Sequence, residues 1–351
     1  MTWHTNFFPW VMDTHVTDDY PEWGSSPRGP LVDADMAHRG ELMASVIGES
    51  VITPGKQVVY HVVRCELCIA THIWPLPSES DLAAYYARRF YVGPAAQEVA
   101  QHERDRAWYE TCCYGPVLNQ CHNILLTQDV THIPRVLDIG AGSGILLDTA
   151  QKQGWKTFGI EPDTEQCAEL ASRGHEPCIG TLQDHARCVQ RNAPDILCLW
   201  ETLEHVVCPE DTLLQCYDLM KPGALLVVSV PNDYSPLQLA ACQKYRIAPW
   251  WLIPPVHLWH FTPKTAQLLI RRCGFTILDM RGTYPLEVRM LDDDGLCYVG
   301  NSTQWREYTG RKNAFELREM QAGRWHDLED QYRANLAERI GRSIICIAQK
   351  G

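Results

Sequence analysis

Four short stretches of the sequence carry residue types that could do chemistry. The first is RVLDIGAGSGILLD, residues 135–148, in which Asp138 closes an apolar run and Gly140, Gly142 and Gly144 follow it. Glycines so placed let the backbone approach a ligand closely, and a helix opening behind them presents free N–H groups. In FGIEPD, Glu161 stands twenty-one residues after Gly140, where a carboxylate can accept from both hydroxyls of a ribose. ETLEHV gathers Glu201, Glu204 and His205, two carboxylates and an imidazole, within five residues. CELCIATH spaces Cys65, Cys68 and His72 as metal ligands are spaced.

The glycines alone leave the ligand open, and the neighbours narrow it. No Lys-Ser or Lys-Thr follows the loop, which removes a P-loop, and Ile145 stands where the dinucleotide fingerprint needs its third glycine. Asp138 would repel a pyrophosphate, whereas it suits a ligand bearing an ammonium group. S-adenosylmethionine (SAM) carries an ammonium and a sulfonium. Glu161 fixes an adenosine, a need that NAD and SAM share.

These residues need a scaffold, and from Arg135 onward the sequence alternates strands with helices. RVLDI, KTFGIE, EPCIG, DILCLW and ALLVVSV read as strands, and 144–153, 163–173 and 209–220 as helices; FTILDMR (275–281) and SIICIAQ (343–349) supply the last two strands. The expected fold is α/β, a doubly wound, mostly parallel seven-stranded sheet. Residues 128–351 form the main domain, and 1–127 are an N-terminal accessory region. An insertion at about 282–342, helical over 314–340, is expected to cover one end of the sheet. Residues 1–55, rich in Pro, Gly, Asp and Trp, predict irregular structure. VVYHVVRC then predicts a strand entering the Cys-x-x-Cys turn, Ser78 or Ser80 caps a helix over 78–90, and one or two helices fill 95–127.

From about residue 134 to 281 the chain resembles the class I SAM-dependent methyltransferases. VLDIGAGSG resembles their first motif, GIEPD their ribose-binding acid, DILCLWETLEHV and LMKPGALLVVSVPN their fourth and fifth strands, and HLWHFTPKTAQLLIRRCGF the approach to their sixth. The resemblance implies that Asp138, Gly140, Gly142 and Gly144 surround the methionine moiety, that Glu161 holds the ribose, and that Thr181 and Leu182 flank the adenine. Glu201 is a further cofactor-side candidate. CELCIATHIWPLPSESDLAAYY is similar to a zinc-knuckle segment that precedes this fold in a subset of the family. Those relatives carry two Cys-x-x-Cys pairs where this chain has one, so a structural zinc would need Cys65, Cys68, His72 and His38.

Methyl transfer is an in-line displacement, for which a protein aligns donor and acceptor and removes the acceptor's proton. His205 is the first candidate base, with His257, His260 and Tyr234 behind it. Helix capping without a chemical role is the alternative for His205. Glu201, Glu204 and His205 also match the E-x-x-E-H pattern that holds a divalent cation in ubiquinone-pathway O-methyltransferases, and a cation there would lower the pKa of an acceptor hydroxyl. Trp250, Trp251 and Trp259 could wall a sugar or aromatic acceptor, or simply pack the core.

With 351 residues, 45% of them apolar, the chain can bury a sizeable core. A net charge of −12 disfavours a grip on nucleic acid. No apolar run is long enough to span a bilayer, and no secretory start precedes the 15 cysteines, so a cytoplasmic protein with reduced thiols is expected. The acceptor is expected to be a small molecule, a sugar or other hydroxylated metabolite methylated on oxygen, with no nucleic-acid or membrane partner and a homodimer as one option for assembly. C- or N-methylation of a sugar nucleotide or natural product stays open. So do an NAD-dependent oxidoreductase or epimerase and a non-catalytic partner protein built on the SAM fold.

Overall fold

The computed structural model describes residues 30–32, 39–53, 55–65, 68, 70–86, 100–128, 130–292 and 302–351. Two sheets organise them. The larger has seven strands: β5 (Arg135–Ile139), β6 (Lys156–Glu161), β7 (Glu176–Ile179), β8 (Ile196–Trp200), β9 (Leu225–Pro231), β11 (Phe275–Gly282) and β12 (Ser343–Lys350), in the order β11-β12-β9-β8-β5-β6-β7. All neighbours are parallel except β12, which runs antiparallel to both β9 and β11. This is the expected doubly wound sheet. Its strand order reverses between β5 and β8, the switch point at whose carboxyl edge open α/β sheets bind ligands.

Alternation along the buried strands divides the core. Leu137, Ile139, Leu197, Leu199, Leu226 and Val228 pack on one face, and Val136, Ile196, Cys198, Leu225 and Val227 on the other. The second face is covered by α2 (Gly115–Thr127) and α3 (Ile145–Lys152). The first receives the smaller, antiparallel sheet through Tyr60, Ala70 and Ile73. That sheet runs β1 (Pro30–Val32), β2 (Arg39–Glu49), β3 (Gln57–Cys65), β4 (Thr71–Trp74), β10 (Trp259–His260). Its last strand thus comes from the far side of the chain. Ser78 caps α1 (Glu79–Tyr85), its side chain accepting from the Asp81 N–H, as the sequence predicts.

Three elements differ from expectation. RGELMASVIGE, read as irregular, is the eleven-residue strand β2, whose alternation is interrupted by a register shift between Leu42 and Ala44. The helix entering α2 widens into a π turn over Tyr109–Tyr114. Its cause is local, because Pro116 has no N–H to donate and crowds the preceding turn. The insertion is three helices, α9 (Leu286–Asp292), α10 (Ser302–Gln321) and α11 (Trp325–Ala337), the last two separated around Gly323 at φ 71. Ion pairs Arg333–Asp279 (3.1 Å) and Arg281–Glu329 (2.6 Å) hold α11 on the edge strand β11.

Asp148, on α3 beside the glycine loop, is the chief buried electrostatic tie outside the sheet edge. It meets Arg106 at 2.5 Å and His175 at 2.8 Å and pairs with Arg173. Burial pushes its carboxyl up, but the His175 and Arg106 hydrogen bonds and the arginine charges outweigh this and hold it at about 2. A depressed carboxylate stabilises the fold above its unfolded pKa and loses that contribution as pH falls through the folded value. Asp148→Asn is therefore expected to cost about 2 kcal/mol at pH 7 and progressively less between pH 4 and 2, measured by urea unfolding. An equal loss at pH 3 and pH 7 would refute the electrostatic account.

Candidate active site

The glycine loop sits where β5 hands over to α3. Gly144 is the cap residue of α3 at φ 72, and a Cβ there would lie 2.2 Å from the Leu170 side chain. Gly140, at φ 76, passes so close to Thr202 that a Cβ would meet its hydroxyl at 2.6 Å. Close packing on both sides thus demands glycine. Glu161 braces the loop from β6. One of its oxygens accepts from the Gly142 N–H at 2.9 Å and the other from the Asp163 N–H at 3.1 Å.

Asp138 lies between β6 and β8, 3% exposed, and its Oδ1 has no hydrogen-bond partner among the described residues. Burial, helped by the charge of Glu161, raises its carboxyl well above the usual range. A buried acid of this kind is relieved by a cation, and that favours a donor with an ammonium group. Thr181 and Leu182 are engaged structurally: the Thr181 hydroxyl and N–H both donate to Asp184 in a capping box, and the Leu182 side chain is in the core.

A second set of acids gathers at the ends of β8 and β9. Glu201 holds left-handed backbone (φ 49) and accepts from the Ser229 hydroxyl at 2.9 Å. Its side chain is exposed to solvent. Glu204 is fully buried, and neither of its oxygens receives a hydrogen bond among the described residues. Burial and the charge of Glu201 drive Glu204 well above the usual carboxylate range. Ligating atoms of Glu204, His205 and His257 lie within 4.8 Å of one another. His257, a candidate base in the sequence, thus joins the acid-imidazole set.

His205 is turned by its surroundings. Its Nδ1–H donates to the Val256 carbonyl at 2.7 Å with the Tyr86 hydroxyl 3.0 Å away, leaving Nε2 directed to Glu204 at 3.7 Å. Burial pushes the imidazole down to about 4, so it is neutral near pH 7. The Nδ1 of this candidate base is thus committed to a carbonyl, and its Nε2 is turned toward a carboxylate.

His260 presents the reverse arrangement. Its Nδ1–H donates to Asp233 at 2.8 Å, both residues are buried, and its Nε2 has no partner among the described residues. The Asp233 backbone N–H donates to the Phe261 carbonyl at 2.9 Å, which fixes the loop after β9 against β10. Tyr234, at φ 56, stands edge-on to both His260 and Trp251. Trp250, Trp251 and Trp259 are only 2–5% exposed, and the Trp259 indole donates to the Val206 carbonyl. They pack the core, with Trp251 backing Tyr234, and do not form an open wall.

At the front, Cys65, Cys68 and His72 also bring their ligating atoms within 4.8 Å of one another. The Cys68 N–H donates to Cys65 Sγ at 3.4 Å, and His72 Nδ1–H to the Ile73 carbonyl at 2.8 Å. His38, the fourth ligand expected from the sequence, lies outside the described residues. Tyr86 beside His205, and Arg342, which pairs with Glu287 at 2.6 Å within electrostatic reach of Glu201 and His257, carried no signal in the sequence.

Comparison with known proteins bears on this geometry. A family described as a methyltransferase domain matches residues 95–279, more than half of the chain. The chain belongs to the class I SAM-dependent methyltransferases. The ubiquinone biosynthesis O-methyltransferases of Roseobacter denitrificans and Cereibacter sphaeroides are 29% and 30% identical to this methyltransferase over 156 residues; each match takes in 42% of this chain. The chain spans 62% of the length of those relatives. Among solved structures, a SAM-dependent methyltransferase from Archaeoglobus fulgidus aligns with a TM-score of 0.40 at 17% identity, covering 66% of this chain and 93% of that one. Phosphoethanolamine N-methyltransferase 2 of Haemonchus contortus, in complex with SAM, aligns with a TM-score of 0.44 at 11% identity, covering 92% of this chain and 71% of that one.

The loop acid gives this methyltransferase a direct test. Asp138→Asn removes a charge that costs free energy in the empty protein, so the melting temperature should not fall. Isothermal titration with S-adenosylhomocysteine should nevertheless show affinity weakened about ten-fold or more, through loss of the charged partner of the ammonium. Unchanged affinity would place the ammonium elsewhere.

Proposed function

We propose that this protein transfers a methyl group from SAM to a hydroxyl of a small, hydroxylated acceptor bound over β8 and β9. The observation that carries the reading is the adjacency of two sites at one sheet edge. One is the glycine loop with Asp138, whose Oδ1 accepts no hydrogen bond among the described residues, and the other is the acid-imidazole set of Glu204, His205 and His257, with Glu201 beside it. The names of the O-methyltransferase relatives point the same way. Against an NAD enzyme stands Asp138, which would face a pyrophosphate.

The second set fits a divalent cation. Glu204 is a buried carboxylate without a hydrogen-bond donor, His205 is anchored through its far nitrogen, and His257 Nδ1 is without a partner among the described residues. Glu204, His205 and His257 would hold the ion, with Glu201 beside them. Bound there, a divalent ion lowers the pKa of a coordinated hydroxyl. The proton itself is assigned to His260, because Asp233 fixes the tautomer that leaves Nε2 a bare, buried acceptor. At the front, Cys65, Cys68 and His72 fit three ligands of a structural zinc, with the backbone N–H bond to Cys65 stabilising a thiolate. His38 or Cys208, which lies within electrostatic reach of Cys68, would supply the fourth.

Three measurements test these assignments. Elemental analysis of the purified protein should find zinc that is lost in Cys65→Ser, while Mn2+ titrated into zinc-loaded protein should bind wild type and fail to bind Glu204→Gln or His257→Ala. Mn2+ binding undiminished in both variants would dismiss the cation site. In a screen of catechols and sugars with radiolabelled SAM, His260→Asn should lower kcat by ~10²-fold at unchanged S-adenosylhomocysteine affinity. If His205→Ala has that effect and His260→Asn has none, the proton belongs to His205. If no hydroxyl compound is labelled while amines are, the reaction is N-methylation.

A further inference from the structure

The inner face of α10 is polar where a docked helix is ordinarily apolar. Lys312, Asn313 and Glu316 all lie on it, with Asn313 5% and Glu316 3% exposed. Glu316 joins three separate elements. One oxygen accepts from the Trp108 indole at 2.6 Å and pairs with Lys312 at 3.2 Å, and the other accepts from the Tyr332 hydroxyl on α11. The Lys312 ammonium sits 3.3 Å over the Trp108 ring. Such a cluster offsets its desolvation only when every partner is present, so it docks or undocks as a unit.

What it holds is the stretch 106–114, which, beside local ties such as Arg106–Glu103 and Glu110–Lys152, has contacts that lead toward the donor site. Arg106 donates to Asp148 at 2.5 Å; Arg173 binds the same carboxylate and donates at 2.6 Å to the carbonyl of Ser143, inside the glycine loop. At the far end, Tyr114 stands edge-on to Trp200, 4.9 Å away at the tip of β8, within electrostatic reach of Asp138 and Glu201. The π turn Tyr109–Tyr114 lies between these anchors. Local π turns recur at functional positions because they re-aim side chains.

We propose that the stretch 106–114 is the cover of the donor site and that Glu316 is its latch, so that docking of α10 and α11 and binding of the donor favour one another. The idea rests on the SAM-binding reading above. Glu316 is a positioning residue: it acts through Trp108 and Arg106 on the loop, and touches no reacting group.

The test uses the full chain with S-adenosylhomocysteine as probe. Hydrogen exchange should slow on binding over 302–337 and 106–114 as well as at the glycine loop. Trp108→Phe, which removes the indole N–H but keeps a ring under Lys312, should weaken binding about 5- to 150-fold, the usual span of coupling between sites. In that variant the protection over 302–337 should vanish while that over 140–144 remains. Glu316→Gln, which removes the charge instead, should behave alike, so that a folding defect in one variant does not decide the matter. Wild-type affinity in both folded variants, or no change of exchange over 302–337 in the wild type, overturns the latch. If the probe protects nothing even at 140–144, the SAM-binding reading falls first and the latch with it.

Discussion

The constraint on which this structure turns is the crowding of carboxylates at one edge of a sheet. Asp138, Glu161, Glu204 and Asp233 are each 3% exposed or less, and Glu201 interacts with Glu204 beside them. An isolated buried carboxylate is expensive, and neighbouring ones raise one another's pKa. The protein meets this cost unequally. Glu161 is satisfied by two backbone N–H groups and Asp233 by an imidazole, whereas Asp138 and Glu204 are left short of donors and pushed toward protonation. The two acids with oxygens that accept no hydrogen bond among the described residues are the two that the proposed reading assigns to cationic ligands.

The rest of the edge follows from keeping those acids in place. The strand reversal between β5 and β8 opens the crevice, and glycines at 140 and 144 bring the loop against Thr202 and Leu170 too tightly for any side chain. Hydrogen bonding then separates the histidines into two kinds. Burial leaves His205 neutral, with its Nδ1 held on a carbonyl and its Nε2 toward an acid, while the Nδ1 of His260 is held on a carboxylate and its Nε2 accepts no bond among the described residues. The two rings thus differ in what anchors one nitrogen and in where the other is left.

What could be read from the sequence was what is local in it. The glycine loop, Glu161 and the Glu201–His205 stretch are each short, and their spacing to neighbouring strands is set by the βα repeat, so position follows from pattern. Strand β2 escaped because a bulge breaks its alternation. Contacts that define the chemistry of single residues are remote: Tyr86 and His205 are 119 residues apart, Trp108 and Glu316 208 apart. Nothing in either segment announces the other. Tryptophans at 250, 251 and 259 show the converse difficulty, since an aromatic cluster reads alike whether it lines a cavity or fills a core.

The two sheets are joined in a way that bears on the proton. β10 is a strand of the small sheet, paired through His260 to Thr71 and through Trp259 to His72, yet Asp233 belongs to the loop that leaves β9 of the large one. The Asp233–His260 hydrogen bond therefore spans the junction, and its length is set by how the sheets sit on each other. A shift of 1 Å there would lengthen the bond beyond useful range and release the ring to its other tautomer. Trp259 resists that shift, because it packs on the His72 ring at 4.8 Å while its indole donates to the Val206 carbonyl beside His205. His72 is in turn one of the three groups converging at Cys65 and Cys68. An ion bound there would stiffen the hairpin that carries β4, and through it the strand that carries His260. The front region is then more than an appendage: it supplies one half of the geometry on which the proposed proton removal depends.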